Sequence, residues 1–474
     1  MTTGLREPGA AGTVLDVFSP ADPAERVGSV PVSTAADVRR VCDAAAAAAE
    51  RWAATPAPHR GTVLHRAATL LDERADALAV QLTREEGKTV AEARGEVDRA
   101  VGFLRYYATA AIDAHGEVYP SAVPGRHLYT QREPLGVVAA ITPWNFPIAI
   151  PAWKSAPALA FGNAVVLKPS EVTPLSAWSL AEALWDAGLP HDVLQVVCGA
   201  PHEVGPALCG DPAVAALTFT GSTAVGRRLQ RDAVARGIKV QTEMGGKNPV
   251  VVLDDADVAQ AVEQTVAGAM RSTGQKCTAT SRVIVTPGIR AAFVEALVAR
   301  VAALRVGDPL DAATEIGPLV SELQRERVLG HLETAARDGL TPAVGGGAPD
   351  RPGWFVEPTL YLDADPQSAL AQEEIFGPVA AVIEAEDLDA ALAIANAVPY
   401  GLAASVFTRD LGQVQRFVRG IEAGVVHVNG ETAGTEPQVP FGGMKASSSH
   451  SREQGRAAAE FFTAVKTVYV DMPA

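Results

Sequence analysis

From about residue 134 onwards, short apolar stretches alternate with helical segments, and this alternation is the feature that most limits the possible folds. GVVAAIT, NAVVLK, VLQVV, VAALTFT and KVQTEM have the composition of strands, and runs such as SAWSLAEALWDAG between them have helical spacing. This order predicts a parallel sheet covered on both faces. A second series begins near residue 248 with NPVVVL and continues through SRVIV, ASVFT and GVVHVN. The sequence therefore predicts two α/β lobes.

The two ends of the chain have sequence patterns that differ from this alternation of strands and helices. Residues 34–54 have helical spacing with Ser33 or Thr34 as the cap, and residues 59–112 continue as long helical segments. Cys42 lies on the first of these helices, where we expect a small buried hydrophobe. The last stretch, TAVKTVYVDM, alternates like a strand and has no later partner in sequence. We expect it to pair with another subunit.

Composition excludes several classes of function. The chain has 474 residues, of which 48% are hydrophobic and 20% charged, so it is long enough for two or three folded domains. Its net charge of −15 disfavours nucleic acid and anionic membranes as partners. The first residues lack a signal peptide's apolar region, and no apolar run is long enough to span a membrane. The four cysteines are Cys42, Cys198, Cys209 and Cys277. They show neither a CxxC pair nor the spacing of zinc ligands, so we expect no metal site and a location in the reducing cytoplasm.

Three polar residues have the chemistry of an acyl-transfer site. Cys277 lies in STGQKCTATS among small and hydroxylated neighbours, which predicts an exposed loop thiol that can attack a carbonyl carbon. Glu243 leaves a strand at a glycine pair in QTEMGGKNP and could activate water. Asn145 in ITPWNFP could donate its amide to an oxyanion. The alternatives are an exposed turn acid at Glu243 and a turn former at Asn145.

Two strand ends could hold a nucleotide. In LTFTGSTAVGRRLQ a strand passes through Gly221 into a helix, although the stretch matches neither GxGxxG nor a phosphate loop. In VVLKPSEVTP, Lys168 ends a strand and Glu171 follows, where a carboxylate can bind ribose hydroxyls. The alternative is a solvated lysine beside a helix that begins with Ser170 as its cap.

Seven motifs carry a resemblance to a known family: PWNFP, LKPSE, FTGSTAVG, EMGGK, GQKCTA, EEIFGP and PFGGMK. In this order and spacing, from about residue 15 to the C-terminus, the chain resembles the aldehyde dehydrogenase superfamily. The resemblance implies an α/β fold with two Rossmann-like parallel-sheet lobes and a small β oligomerisation element. It assigns residues 1–115 and 134–245 to a dinucleotide-binding domain, 246–445 to a catalytic domain, and 116–133 and 460–474 to the oligomerisation element.

The resemblance also implies roles for individual residues. Cys277 would be the nucleophile, Glu243 the general base and Asn145 the oxyanion donor, and Lys154 and Glu453 would relay the base's proton outward. Glu374 would hold the nicotinamide ribose. Including Glu374, the implied cofactor contacts are Ile141, Thr142, Pro143, Trp144, Lys168, Ser170, Glu171, Gly205, Gly221, Ser222, Val225, Glu374 and Phe376.

The reaction implied is NAD(P)-dependent oxidation of an aldehyde to a free carboxylate through a cysteine thiohemiacetal and thioester. Glu243 favours a free acid over a CoA ester. NAD is the expected cofactor because Glu171 would repel the 2′-phosphate of NADP, although Lys168 could offset that repulsion and NADP could also serve; no metal is required. A homodimer or homotetramer through the C-terminal strand is expected.

Within the superfamily the chain is most similar to α-ketoglutaric semialdehyde (2,5-dioxovalerate) dehydrogenases, which implies 2,5-dioxopentanoate as substrate and 2-oxoglutarate as product. Lys276 and Arg105 are candidate partners for the remote carboxylate, and Phe441 is a further substrate contact. After PFGG the superfamily pattern is KxSGxGRE, whereas this chain has KASSSHSRE, one residue longer, so the conformation of residues 446–452 is not predicted. Alternatives are betaine aldehyde or succinic semialdehyde as substrate, a non-redox cysteine esterase or thioesterase, and a catalytically silent member of the fold.

Overall fold

In a computed structural model of the chain, residues 13–113 and 116–472 are described. The strands are β1 Val14–Phe18, β2 Arg26–Pro31, β3 Val118–Tyr119, β4 Arg126–Pro134, β5 Val137–Ile141, β6 Ala164–Lys168, β7 Leu194–Val196, β8 Val214–Thr220, β9 Lys239–Glu243, β10 Asn248–Val252, β11 Thr280–Val285, β12 Pro342–Val344, β13 Thr359–Tyr361, β14 Val379–Glu384, β15 Tyr400–Gly401, β16 Ala403–Phe407, β17 Val425–Val428, β18 Met444–Lys445 and β19 Thr463–Asp471.

The α-helices lie before and between these strands. They are α1 Ala35–Ala54, α2 Ala57–Glu73, α3 Ala75–Glu86, α4 Val90–Ala110, α5 Ala149–Ala160, α6 Pro174–Asp186, α7 Pro201–Gly210, α8 Thr223–Arg236, α9 Val258–Met270, α10 Pro287–Ala302, α11 Glu322–Arg337, α12 Ala369–Gln372, α13 Leu388–Asn396, α14 Leu411–Gly420 and α15 Ala457–Phe462. A 3-10 turn, Arg271–Gly274, follows α9. In the part of the chain that the structure describes, no helix is long and apolar enough to cross a membrane.

The first lobe is a parallel five-stranded sheet in the order β7-β6-β5-β8-β9. Along the chain the strands first run from β5 outward to β7, and β8 then returns to the other side of β5. Strand order therefore reverses between β5 and β8, which is where open α/β sheets bind ligands. The chain leaves these two strands at Ile141 and Thr220.

The second lobe is a seven-stranded sheet in the order β12-β13-β14-β11-β10-β16-β17, parallel except at β12. Strands β10 and β16 are buried along their whole length, as a sheet covered by helices on both faces requires. The prediction of two α/β lobes is confirmed. The domain boundaries drawn from the resemblance stay a prediction.

The C-terminal strand pairs within its own chain. All nine residues of β19 are antiparallel to β4, and β3 lies on the far side of β4. The sequence shows no later partner for β19, and its partner β4 indeed precedes it in the chain. Pairing of β19 with another subunit stays a prediction. At the C-terminal end of β19, Arg126 Nε lies 2.6 Å from Asp471 Oδ1. The outer edge of β19 has no strand against it within the described residues.

The first helix, α1, begins as its sequence predicts. Thr34 caps α1, and its hydroxyl and the Asp37 carboxylate form a reciprocal capping box. Cys42 is fully buried on this helix, as expected for a small hydrophobe. The antiparallel pair β1–β2 precedes α1 and was not predicted from the sequence.

Candidate active site

Cys277 lies in a loop that follows a left-handed stretch of backbone. Ser272, Thr273 and Gly274 have φ values of 54°, 53° and 68°. A Cβ atom on Gly274 would lie 2.1 Å from the carbonyl oxygen of Gly377, so only glycine fits here. The Asn248 amide donates to the Cys277 carbonyl at 2.8 Å. The loop is therefore fixed both before and after the thiol.

The thiol itself is not exposed, contrary to the sequence-based expectation. Cys277 is partly buried because it lines a cavity and does not lie in an open loop. Burial raises the pKa of Cys277 to about 12, and the negative charges of Glu374 and Glu243 add to this effect. All four cysteines are free, and Cys277 is the one that is not fully buried.

Asn145 reaches this loop from the first lobe. Its side-chain amide donates to the carbonyl oxygen of Gln275 at 2.8 Å, which leaves a second amide hydrogen available. Lys88, itself paired with Glu96 at 2.6 Å, donates to the backbone carbonyl of Asn145 at 2.7 Å. Glu96 also accepts from the backbone NH groups of Ile148 and Ala149. A buried ion pair thus holds the PWNFP turn against the loop of the nucleophile.

Glu243 ends β9 and lines the same cavity as Cys277. Its Oε2 accepts from the Ser448 hydroxyl at 2.6 Å, while its buried Oε1 has no partner among the described residues. Burial raises the pKa of Glu243 well above its ordinary value, and the nearby Glu453 raises it further. A carboxyl with an elevated pKa and one free oxygen is suited to take a proton from water.

Lys154 and Glu453 form a buried pair behind Glu243. Lys154 Nζ lies 2.5 Å from Glu453 Oε1 and 2.9 Å from the Thr218 hydroxyl. Residues 446–452 fold back over the end of β9, so Glu453 lies beside Lys154 despite the extra residue in this segment. The structure therefore brings together five residues that the sequence predicted for catalysis: Asn145, Lys154, Glu243, Cys277 and Glu453.

Most of the residues expected to bind a cofactor lie where the parallel strands of the first sheet end. Thr142, Pro143 and Trp144 follow β5 at Ile141, Ser170 and Glu171 follow β6, and Gly221 follows β8. Lys168 Nζ lies 3.8 Å from Glu171 Oε2. Ser222 caps α8 without a side-chain hydrogen bond, and Val225 is exposed on the same helix. Gly205 differs from the rest, because it lies in the middle of α7 and not at a strand end.

Two residues of the second lobe, Glu374 and Phe376, lie close to these strand ends. Glu374 Oε1 accepts from the Gly246 backbone NH at 3.0 Å, and burial raises the pKa of Glu374 to about 7. Phe376 packs edge-to-face on Trp144 with ring centroids 5.3 Å apart. The second lobe thus reaches the point at which strand order reverses in the first.

The cavity that Cys277 and Glu243 share has a volume of about 510 Å³. Phe441 forms part of its wall and packs edge-to-face on Trp153 at 4.7 Å. Lys276 also lines it, but its buried Nζ donates to the Ala267 carbonyl at 2.9 Å, and burial lowers the pKa of Lys276 to about 8. The Lys276 ammonium group is therefore only partly available to bind a charged ligand.

The structure contradicts the placement of Arg105 at this cavity. Arg105 does not line it and instead lies 2.7 Å from Asp72. Arg99, on the same helix α4, does line the cavity and has no carboxylate partner within residues 13–113 and 116–472. The cavity-lining positions of α4 include Glu92, Gly95, Arg99 and Phe103, a spacing of three or four residues that marks one helix face. Arg105 follows Phe103 by two positions and therefore lies on a different face of α4, which helical spacing alone indicates.

Among the described residues, no three His, Cys, Asp or Glu side chains are grouped so that they could hold a metal ion.

Ser448, whose hydroxyl contacts Glu243 Oε2, is a further residue of the site that the sequence analysis did not identify. Its only signal was that it lies in the one segment longer than the superfamily pattern.

Comparison with known proteins agrees with this geometry. The model of the aldehyde dehydrogenase family matches residues 7–468. The chain is 46% identical over 464 residues to the alpha-ketoglutaric semialdehyde dehydrogenase of Bacillus subtilis (strain 168), covering 97% of this chain and 95% of that protein. It is 47% identical over 463 residues to the alpha-ketoglutarate semialdehyde dehydrogenase of Haloferax volcanii, covering 97% and 96%.

A solved structure shows the same architecture. The crystal structure of betaine aldehyde dehydrogenase from Staphylococcus aureus in complex with NAD+ superposes with a TM-score of 0.94 at 35% identity, covering 97% of this chain and 92% of that one. The motifs, the two lobes and the shared cavity of Cys277 and Glu243 lead to one assignment. The chain belongs to the aldehyde dehydrogenase family.

Proposed function

We propose that the protein oxidises an aldehyde to a free carboxylic acid with a nicotinamide dinucleotide, and that 2,5-dioxopentanoate is its substrate. The observation that carries the proposal is that Cys277 and Glu243, from different lobes, line one cavity. Asn145 is held against the loop of the cysteine. A nucleophile, a base and an oxyanion donor are therefore available to one bound carbonyl group.

The strand ends of the first lobe fit a dinucleotide. Thr142 Oγ1 is buried there without a partner among the described residues, and the capping position of α8 leaves backbone NH groups for an anion. The Glu171 side chain, 36% exposed, can accept from ribose hydroxyls and would repel a 2′-phosphate. We therefore propose NAD as the preferred cofactor, with NADP used less well. When bound, the nicotinamide supplies the hydride acceptor that aldehyde oxidation requires.

The chain's own residues carry the remaining chemistry. The Cys277 sulfur attacks the aldehyde carbon, and the Asn145 amide stabilises the oxyanion of the thiohemiacetal. Once oxidised, the group is a thioester on Cys277. Glu243 then takes a proton from water, whose oxygen attacks the acyl carbon and releases the acid. Lys154 and Glu453 lie where they can pass that proton away from the cavity.

The substrate proposal combines the relatives with one cation. Two relatives of nearly equal length carry the name of a dehydrogenase for this semialdehyde. Arg271, Lys276 and Arg300 line the cavity but each pairs with a carboxylate. Arg99 has no such partner in the described part of the chain. It is therefore the cation best placed to receive the substrate's remote carboxylate.

Betaine aldehyde is the second candidate. The cavity wall contains the rings of Phe103, Trp153 and Phe441, and aromatic faces attract quaternary ammonium groups. The Staphylococcus aureus neighbour is itself a betaine aldehyde dehydrogenase. The two candidates carry opposite charges, so one comparison separates them.

The test is a substrate panel on the purified protein. We expect reduced nicotinamide to form with the highest kcat/KM for 2,5-dioxopentanoate, ahead of succinic semialdehyde, betaine aldehyde and an uncharged aldehyde of similar length, with 2-oxoglutarate as product. A preference for betaine aldehyde would contradict the carboxylate assignment. If the protein hydrolysed esters but formed reduced nicotinamide with none of the aldehydes, that result would contradict dehydrogenase activity. Equal use of NAD and NADP, unchanged in Glu171→Ser, would contradict the cofactor preference.

We further propose that the protein is a homodimer or homotetramer joined through the outer edge of β19. That edge is free within the described residues, and Val465 and Tyr469 expose apolar surface on this strand. The four free thiols fit a reducing compartment such as the cytoplasm.

A further inference from the structure

Three consecutive serines surround the end of β9, where Glu243 lies. The Ser449 hydroxyl accepts from the backbone NH of Thr242 at 2.9 Å. The Ser447 hydroxyl donates to the backbone carbonyl of Gly245 at 2.7 Å. These contacts fix the backbone on both sides of Glu243. They come from segment 446–452, which is one residue longer than the superfamily pattern.

Ser448, between them, reaches the carboxyl group itself. Its hydroxyl donates to Glu243 Oε2 at 2.6 Å and accepts from the backbone NH of Gly443 at 2.6 Å. A hydroxyl has one proton, and the Gly443 NH already occupies one of its lone pairs. The proton therefore points at Glu243. Ser448 is 4% exposed and Glu243 3% exposed, so water does not compete strongly for this bond.

The charges around Glu243 act in both directions. Burial and the Glu453 carboxylate favour the protonated, inactive form of Glu243, whereas Lys154 and Arg452 favour the ionised form through their charges. The hydrogen bond from Ser448 also lowers the pKa of Glu243 and, unlike the two cations, it engages the carboxyl oxygen directly. Oε1 remains without a partner within the described chain.

We propose that Ser448 is a positioning residue for the deacylation step: it anchors Oε2 of Glu243 and stabilises the carboxylate, so that Oε1 is left to take the proton of the attacking water. This inference rests on the proposed function. In the step, a water proton moves to Oε1 while the water oxygen bonds to the acyl carbon. The C–S bond then breaks, which leaves Cys277 as a thiolate, Glu243 protonated and the acid free.

The experiment separates acylation from deacylation in Ser448→Ala. We expect the initial burst of NADH to stay within about twofold of wild type, because Glu243 acts after oxidation. Decay of the acyl-enzyme, followed by quenching and intact mass, should slow about tenfold near neutral pH, as expected for the loss of a hydrogen bond to a charged group. Removing the bond raises the pKa of Glu243, so the acid limb of the decay rate should move to higher pH by about one unit.

Two variants serve as controls. Ser448→Thr keeps the hydroxyl and should restore the wild-type acid limb. Ser451→Ala removes a hydroxyl from the same segment whose one hydrogen bond among the described residues is with the Ser449 hydroxyl, at 3.3 Å, and it should behave as wild type. If Ser448→Ala does not fold, as judged from its melting temperature, Ser448→Gly removes the same hydroxyl and is read in the same way.

An unmoved acid limb in a folded Ser448→Ala or Ser448→Gly protein would overturn the inference. Equal losses in burst rate and acyl-enzyme decay would also overturn it, because they would indicate a general structural role. Glu243→Gln distinguishes this failure from failure of the proposed function. If Glu243→Gln gives a burst and then stalls while the Ser448 variants are unchanged, only the role of Ser448 is wrong. If wild type gives no burst with any aldehyde, the proposed function itself is wrong.

Discussion

Cys277 lies in a setting that opposes its own ionisation. Its thiol is buried, and the carboxylates of Glu374 and Glu243 lie close enough to raise its pKa further. The sequence showed a cysteine among small polar residues and could not show this, because Glu374 is about a hundred residues away in the chain. Residue identity predicted the nucleophile, whereas its protonation state depends on the fold.

We predict that the cofactor-free protein is alkylated slowly at Cys277. Because burial and neighbouring carboxylates raise the pKa to about 12, the rate with iodoacetamide should climb about tenfold per pH unit well past the ordinary thiol value of about 8.5. Peptide mapping after labelling measures the rate at this site. A plateau at or below the ordinary value would contradict the prediction. Cys42, which is fully buried, serves as the unlabelled control.

Arg99 and Arg105 form a matched pair on one helix. We predict that Arg99→Met lowers kcat/KM for 2,5-dioxopentanoate roughly tenfold, the size of one partly exposed charge-assisted contact. It should leave an uncharged aldehyde unaffected. Arg105→Met, which removes a cation paired with Asp72 outside the cavity, should change neither value. If both variants lose activity equally on both aldehydes, Arg99 does not bind the carboxylate.

At the scale of elements, the sequence predicted best where periodicity was long and local. The alternation of strands and helices predicted both sheets, and Thr34 was one of the two caps considered for α1. The hairpin β1–β2 was missed because its strands are short and lie outside that alternation. The left-handed turn before Cys277 was missed for another reason. At its end a Cβ on Gly274 would lie 2.1 Å from the Gly377 carbonyl oxygen, and no local sequence signal records that Gly377 lies there.

This turn leads to a prediction about Gly274. Gly274→Ala places a methyl group in a left-handed conformation and also 2.1 Å from the Gly377 carbonyl oxygen. Gly188 has a φ of 101° but open space around it, so Gly188→Ala tests the backbone conformation alone. We expect Gly188→Ala to cost about 1–2 kcal/mol and Gly274→Ala to cost a further 1–3 kcal/mol, roughly, for overpacking.

Thermal unfolding of both variants measures the difference, and the NADH burst reports the position of Cys277. Gly274→Ala should have the lower melting temperature and a smaller burst. Equal melting temperatures would mean that the Gly377 contact relaxes at little cost.

At the scale of the whole molecule, the small sheet of β3, β4 and β19 ties the end of the chain to its first lobe. Its outer strands, β3 and β19, have no further strand against them in the part of the chain that the structure describes. Val465 is 55% exposed and Tyr469 is 63% exposed, so this outer strand presents apolar surface to solvent.

We predict that Val465→Lys combined with Tyr469→Lys reduces the oligomer to a smaller species. Charged side chains on a strand edge oppose pairing between chains. Light scattering coupled to size exclusion measures the mass. Thr467→Lys between them, on the same strand, is a milder control that adds one charge without removing apolar surface. An unchanged mass for the double variant would place the interface elsewhere.

Because the chain is synthesised from its N-terminus, the contact between Glu243 and Ser448 can form only late in synthesis. The strands of the first sheet end at Glu243, so that sheet can form while the second half is still being synthesised. The hydroxyl that anchors the Glu243 side chain and the partner of Lys154 arrive only with Ser448 and Glu453. A nascent chain would therefore carry Cys277 before its base is assembled. Efficient deacylation therefore requires that synthesis pass Ser448 and Glu453, long after Cys277 has been made, so shorter nascent chains are poorer catalysts.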